Sequence, residues 1–282
     1  MPSDGALLEL ALALAQEAGE LIAARRAEGV EVAATKTTIV DVVTAADREA
    51  EQLLRDRLAR LRPDDGFYGE ESDPTAGGTG LTWVVDPIDG TVNYLYGIPN
   101  YAVSIAVVTG DPARDPAEFE TIAGVVLAPA AGECYAAVRG GGATLNGAPI
   151  GVGDGPAELA QTLLATGYAY EPETRRLQAE IWLALAGVVR DVRRMGAASL
   201  DLCGVASGRL DAYFEIGLKP WDWAAGALIA REAGAEVSGW SGEAESRGML
   251  VCGHPRISAD LQQMLEAHVP SGLRNPGPTS GS

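Results

Sequence analysis

Residues 83–94 read Trp-Val-Val-Asp-Pro-Ile-Asp-Gly-Thr-Val-Asn-Tyr. Trp83 to Val85 is a short apolar run of the kind that forms a buried strand. It leads into two acids, Asp86 and Asp89, followed at once by Gly90-Thr91. Pro87 fixes its own φ and biases Asp86 toward extended backbone, so both carboxylates are held on a stiff turn at a strand end. The amides of Gly90 and Thr91 can point outward, as at a helix start. Carboxylates suit hard cations and amides suit an anion, which together suggest a metal-assisted phosphate site. The plain alternative is a strand followed by an Asp-Gly turn. An isolated Asp-Gly would deserve it, but this run has partners.

Those partners are acids elsewhere. Glu70 and Glu71 lie in Gly69-Glu70-Glu71-Ser72, and Asp222 in Pro220-Trp221-Asp222-Trp223-Ala224-Ala225-Gly226. Each has an ordinary reading: a solvated loop pair for the first, a helix N-cap for the second. Asp47 follows Thr44 at capping-box spacing, which by itself needs no further role. Lys36 and Asp41 look like loop charges, and Glu215 closes a strand where it could face solvent. Each signal is weak alone, and their joint occurrence with the Asp-Pro-Ile-Asp-Gly-Thr turn lifts them.

Other chemistries have little to work with. There are only two histidines, His254 and His268, and three scattered cysteines, Cys134, Cys203 and Cys252. A His-rich zinc site is not available. A Ser-His-Asp arrangement would have to use a late histidine in no recognisable setting. The cysteines form no Cys-x-x-Cys pair and no even framework, so a reduced, cytoplasmic protein is expected. The formal net charge of −18 repels nucleic acid and anionic membrane, and a phosphate site would need cations to reverse the local potential. The N-terminus does not read as a secretory signal, and Glu9, Glu17 and Glu20 rule out a membrane span in the apolar stretch there.

The elements that must position these groups follow from periodicity. Leu7, Leu10, Ala11, Leu14, Ala18, Leu21 and Ile22 form one stripe of a helix over 4–28, ended by Gly29. A second helix covers 44–61, then a loop from Gly66 to Gly80, a strand at 82–86, and strands at 101–109, 121–128 and 133–138. Asn146-Gly147 signals a hairpin, and Gly140-Gly141-Gly142 reads as turn chemistry because no helix opens after it. From Ala157 strands and helices alternate: strands near 162–166, 189–194, 210–215 and 249–252, helices near 172–188, 197–207, 222–233 and 256–267. That order predicts an N-terminal α+β part over 1–150, a C-terminal α/β part over 151–268, and a disordered Pro/Gly/Ser-rich tail over 269–282.

With these residues in place the chain resembles the inositol monophosphatase family of magnesium-dependent, lithium-sensitive phosphatases. Trp83 to Asn93 matches one family signature, Trp221 to Gly226 with Glu232-Ala233-Gly234 a second, and Gly69 to Ser72 and Thr44 with Asp47 match two shorter elements. The resemblance implies a layered αβαβα fold, a mostly antiparallel N-terminal sheet with helices, and a homodimer. It implies Mg2+ held by Glu70, Asp86, Asp89, Asp222 and the carbonyl of Ile88. Substrate phosphate would sit on the amides of Gly90 and Thr91, with Asp89 and Asp222 among the substrate contacts. Thr91 and Asp47 would pair to help Glu70 activate water. Glu215 would accept from a substrate hydroxyl, Arg194 would touch substrate, and Lys36 and Asp41 would approach the site, around a third, weaker metal. Asn93-Tyr94-Leu95-Tyr96-Gly97-Ile98-Pro99 resembles the inositol-phosphatase branch, so the expected substrate is a polyol or sugar phosphate monoester, myo-inositol monophosphate first. Leu218-Lys219-Pro220 resembles bacterial members of broad substrate choice. Histidinol-phosphate phosphatase is the alternative enzyme, and a regulatory binding protein that keeps the phosphatase fold is the alternative of another class.

Overall fold

The computed structural model describes residues 2–30, 32–35, 42–114 and 118–269. In chain order the elements are α1 (Asp4–Glu28), β1 (Val32–Thr35), β2 (Val42–Thr44), α2 (Ala45–Leu61), β3 (Gly66–Gly69), β4 (Leu81–Asp89), α3 (Thr91–Tyr96), β5 (Ala102–Asp111), β6 (Glu118–Ala128), β7 (Glu133–Val138), β8 (Ala143–Leu145) and β9 (Ala148–Pro149). They continue with β10 (Leu163–Thr166), α4 (Pro172–Leu185), β11 (Asp191–Arg193), α5 (Ala198–Ala206), β12 (Ala212–Glu215), α6 (Pro220–Glu232), β13 (Glu236–Ser238), β14 (Leu250–Gly253) and α7 (Pro255–His268).

Strands β3 to β9 form a seven-stranded sheet in sequence order, antiparallel except where β3 joins β4 in parallel. A five-stranded mixed sheet has the order β11-β10-β12-β14-β13. The alternation of side chains along each strand divides the core. In β4, Trp83 and Val85 join Leu14, Ile22 and Leu54 of α1 and α2, whereas Val84 joins the cluster containing Leu202, Trp223 and Ile229 of α5 and α6. In β12, Tyr213 faces that same α5–α6 cluster, and Phe214 faces Ile181 of α4 and Leu261 of α7. The layers are therefore α1/α2, sheet, α5/α6, sheet, α4/α7: the layered αβαβα architecture expected from the sequence. Gly124 on β6 permits the close approach of α6, since a Cβ there would lie 3.0 Å from Ala225 Cα.

Several boundaries differ from the periodicity. The expected loop over 66–80 contains β3, whose four residues include two glycines and carry too short a pattern to read. β4 does not stop at Asp86; its pairing with β5 resumes at Asp89 after a register shift around Pro87. Strand β13 is only three residues long and was not expected. Helix α6 begins at Pro220, a residue type favoured in the first helical turn, so Asp222 is not its cap. Val269, expected in the tail, is buried against the α4–α7 layer; the rest of the tail lies outside the described residues. The hairpin at Asn146-Gly147 has both residues at positive φ, 50° and 78°, as a two-residue β-turn requires. The triple glycine turns out to hold an internal carboxylate: Gly140 and Gly142 donate backbone N–H groups to Glu232 at 2.7 and 2.8 Å. All three cysteines are free. Among the described residues no helix is long and apolar enough to cross a membrane.

Candidate active site

The β4–α3 turn carries the first acids. Asp86 is 2% exposed and Asp89 7%. Asp86 Oδ1 accepts from Ile88 N at 2.9 Å, a bond that folds the Pro87 turn back on itself. Gly90 has φ +90°, and a Cβ there would press to 2.9 Å from Asn100 O. Glycine is needed at this point both for conformation and for room. Thr91 then opens α3, and its hydroxyl lies 3.1 Å from Asp47 Oδ1 and 3.0 Å from Ile88 O. With one proton to give, Thr91 is shared between that carboxylate and that carbonyl.

One face of α2 serves the other side. Asp47, Glu51 and Arg55 are spaced i, i+4, i+8 and so project in a row. Asp47 Oδ2 accepts from Thr44 N at 2.9 Å and Thr44 Oγ1 at 2.5 Å, leaving Oδ1 for Thr91. Glu51, 2% exposed, accepts from Glu71 N at 2.7 Å and from the Ser72 hydroxyl. Arg55 donates to Thr75 Oγ1 at 2.7 Å, to Ser72 Oγ and to Asp73 O. Glu51 and Arg55 thereby fix the loop that leaves β3 and carries Glu70. Gly69 leaves space for them: a Cβ there would fall 2.4 Å from Glu51 Oε2.

The α5–α6 layer closes the site. Asp89 accepts from Ser199 N at 2.7 Å, Ser199 Oγ at 2.5 Å and Ala198 N at 3.2 Å, so it receives the first amides of α5. Asp222, third residue of α6, reaches back to Lys219 N at 2.6 Å with Oδ2. In both acids one oxygen is tightly held and the other is less committed. Glu215 stands half-buried at the end of β12 and accepts from Tyr213 Oη at 2.5 Å. Arg194 precedes Gly196, which turns at φ +89° with Arg194 Nη1 only 2.5 Å from where a Cβ would be. The guanidinium thus folds over its own loop, and its charge reaches Glu215 and Asp201.

Electrostatics binds these groups into one unit. Asp86 is raised well above the ordinary carboxylate range, first by loss of water and then by the charges of Glu70, Asp89 and Asp222 and a hydrogen bond with Glu70. Asp222 is likewise raised well above its usual value by burial, then by Glu70 and Asp89. Burial lifts Asp89 to about 6, against the bonds from Ser199. Asp47 is also lifted to about 6 by burial, against its bonds from Thr44, with Glu70 adding repulsion. Desolvation takes Glu215 to about 7. Like charges gathered away from water are costly unless protonated or matched by cations. Among the described residues no three His, Cys, Asp or Glu side chains stand ready-made in ligand geometry. The structure offers instead a carboxylate group whose members feel one another.

The structure therefore brings Asp47, Glu70, Asp86, Asp89, Thr91 and Asp222 into mutual influence, with Glu215 felt by Asp222 and Arg194 by Glu215. Lys36 and Asp41 lie outside the described residues. Three participants escaped the sequence reading. Glu51 and Arg55 had a signal, the i+4 spacing of charges from Asp47 along a helix that also has to bury a face. Asp201, 3% exposed on α5 and raised well above its usual value by burial and by Glu215, had none beyond being an acid in an apolar helix.

The chain is similar to known proteins along nearly its whole length. The family model described as Inositol monophosphatase family matches residues 5–270. The inositol-1-monophosphatase SuhB of Mycobacterium tuberculosis (strain H37Rv) is 44% identical over 271 residues, covering 90% of this chain and 91% of the relative. Nus factor SuhB of Pseudomonas aeruginosa is 38% identical over 277 residues, covering 95% and 98%. The crystal structure of extragenic suppressor protein SuhB from Bartonella henselae superposes with a TM-score of 0.83 at 32% identity, covering 93% and 98%. On this evidence the chain belongs to the inositol monophosphatase family and is a phosphoric monoester hydrolase.

Proposed function

We propose that this protein hydrolyses a polyol or sugar phosphate monoester with the help of Mg2+, with myo-inositol monophosphate as the substrate to try first. One observation carries the reading. Asp86 is buried against Glu70, and its leading influences, including the charges of Asp89 and Asp222, all push its pKa upward. Cations would relieve the repulsion in such a group. Its donors are all oxygen, which favours magnesium over zinc. Glu70, Asp86, Asp89, Asp222 and the Ile88 carbonyl would hold the ions. Bound magnesium supplies positive charge to the phosphoryl and departing oxygens and lowers the pKa of water.

The chain's own residues do the rest. The amides of Gly90 and Thr91, at the start of α3, orient the phosphoryl group. Asp47 holds the Thr91 hydroxyl, and Thr91 with Glu70 fixes the position and proton of the attacking water. Glu215 and Arg194 receive the alcohol portion of the ester. No protein nucleophile is required, consistent with two histidines and three cysteines remote from the turn in sequence.

Phosphate release from myo-inositol 1-phosphate in Mg2+ tests this, with Asp86→Asn as comparison. A loss of at least about a hundredfold is expected, because a ligand and its charge are removed from the transition state. Equal rates in both proteins would reject the site. A panel that includes histidinol phosphate separates the alternative enzyme. The second reading, a regulatory binding protein that keeps this fold, draws support from relatives named Nus factor SuhB. Under that reading phosphate release is dispensable, and the Asp86→Asn variant would keep the binding role.

A further inference from the structure

Strands β10 and β12 run parallel, with Ala165 beside Tyr213 and Thr166 beside Phe214. One step further along this register Gly167 comes alongside Glu215. Laterally adjacent residues of a sheet send their side chains from the same face. A side chain at 167 would therefore head for the Glu215 carboxylate, and the space is already taken. A Cβ on Gly167 would lie 1.9 Å from Glu215 Oε2, 2.1 Å from its Cδ and 2.2 Å from Oε1. Gly167 is buried, and its φ is outside the left-handed region that favours glycine. The backbone does not demand glycine here; the carboxylate does. The Tyr213 hydroxyl, two residues earlier on the same face, completes the seat by donating to Oε2 at 2.5 Å.

We infer that Gly167 is a specificity-determining position, which by lacking a side chain seats the Glu215 carboxylate in the wall of the site and so selects esters of polyhydroxylated alcohols over esters that offer it no hydroxyl. The inference rests on the phosphatase reading and on Glu215 as the hydroxyl acceptor. Gly167 acts through Glu215 and is a positioning residue, not a catalytic one. The atoms it would meet are the far end of a side chain. An added methyl group is therefore relieved by swinging the carboxylate away, off Tyr213 and out of its seat, rather than by moving β10. A substrate hydroxyl that met a fixed acceptor would then lose it, which costs about tenfold to a hundredfold in selectivity.

The test compares wild type, Gly167→Ala, Glu215→Ala and the double variant on myo-inositol 1-phosphate and phenyl phosphate, both in Mg2+. The readout is the ratio of kcat/KM for the first ester to that for the second. Gly167→Ala is expected to lower the ratio about tenfold or more. In the Glu215→Ala background the same substitution is expected to change it by less than about twofold, because the methyl group occupies the space the carboxylate has left. A Gly167→Ala variant that slows both esters alike, or a double variant that loses the product of the two single losses, would overturn the inference. Should Gly167→Ala fail to fold, a folded double variant would still support steric exclusion between the two residues; an unfolded one would show that the backbone requires glycine and would overturn it. Failure of the underlying reading looks different: the wild-type protein would then release phosphate from neither ester.

Discussion

At the scale of single residues, the site is built from carboxylates that each serve two masters. Asp47 is the clearest. One oxygen holds Thr44 at the start of α2 and the other holds the Thr91 hydroxyl. An ionised carboxylate only accepts, so Thr91 must donate toward it or toward Ile88 O. Asp47→Asn separates the two duties. Its amide oxygen can keep the Thr44 N–H, which is a fixed donor, while its NH2 faces Thr91. The Thr91 proton is then driven to Ile88 O, 3.0 Å away. Stability should change by about 1 kcal/mol or less, the scale of one altered hydrogen bond. The turnover number should fall by about a hundredfold, the lower end for a displaced proton-handling group. Thermal unfolding together with kcat on inositol 1-phosphate checks this. A variant that is destabilised but turns over normally would show that Asp47 is only a cap.

At the scale of elements, α2 is the scaffold that sets the Glu70 loop, because Glu51 and Arg55 tie residues 71–75 to its surface. Glu51→Ala removes the buried carboxylate that accepts from the Glu71 N–H and the Ser72 hydroxyl, a cost of about 1–3 kcal/mol for bonds to a charged acceptor. It should also reduce kcat, although Glu51 touches no substrate in the proposed arrangement, since Glu70 loses its register with Asp86. Urea unfolding and kcat measured on one preparation test it, and an unchanged kcat would mean that β3 alone positions the loop. The same element shows what a sequence discloses. The stripe of α1, the Trp83–Val85 strand and the Asn146-Gly147 hairpin were legible because each is a local pattern with a local cause. Thr44 with Asp47 was legible for the same reason. The strands β3 and β13 were not, because a few residues carry no period and are made by their neighbours. Asp201 against Glu215, Glu51 against Ser72 and Gly167 against Glu215 are lateral meetings of distant positions, for which neither spacing nor propensity holds any record.

At the scale of the whole molecule, the buried acids should govern how stability depends on pH. Asp47 and Asp89 are raised to about 6 and Glu215 to about 7, and burial raises Asp86, Asp201 and Asp222 well above the ordinary carboxylate range. Each binds a proton in the folded chain at pH values where the unfolded chain has released it. Between about pH 4, the ordinary carboxylate value, and these raised values the folded state therefore holds more protons. Stability then falls as pH rises, by up to ~1.4 kcal/mol per unit of pKa difference for each group. The net charge of −18 adds self-repulsion in the same direction. Groups held low by arginine partners, such as Glu133 beside Arg209 and Asp191 beside Arg193, act oppositely, and only as pH drops through their lowered values below about 4. In a chelator the melting temperature should thus decline steadily from pH 5 to pH 8. Adding Mg2+ should reverse the decline most strongly at pH 8, where the acids are ionised and the ions bind the folded chain by mass action. Differential scanning fluorimetry from pH 5 to 8, with chelator and then with Mg2+, reads both effects. A melting temperature that rises toward pH 8 in chelator, or a Mg2+ effect independent of pH, would show that these carboxylates do not share one charged pocket.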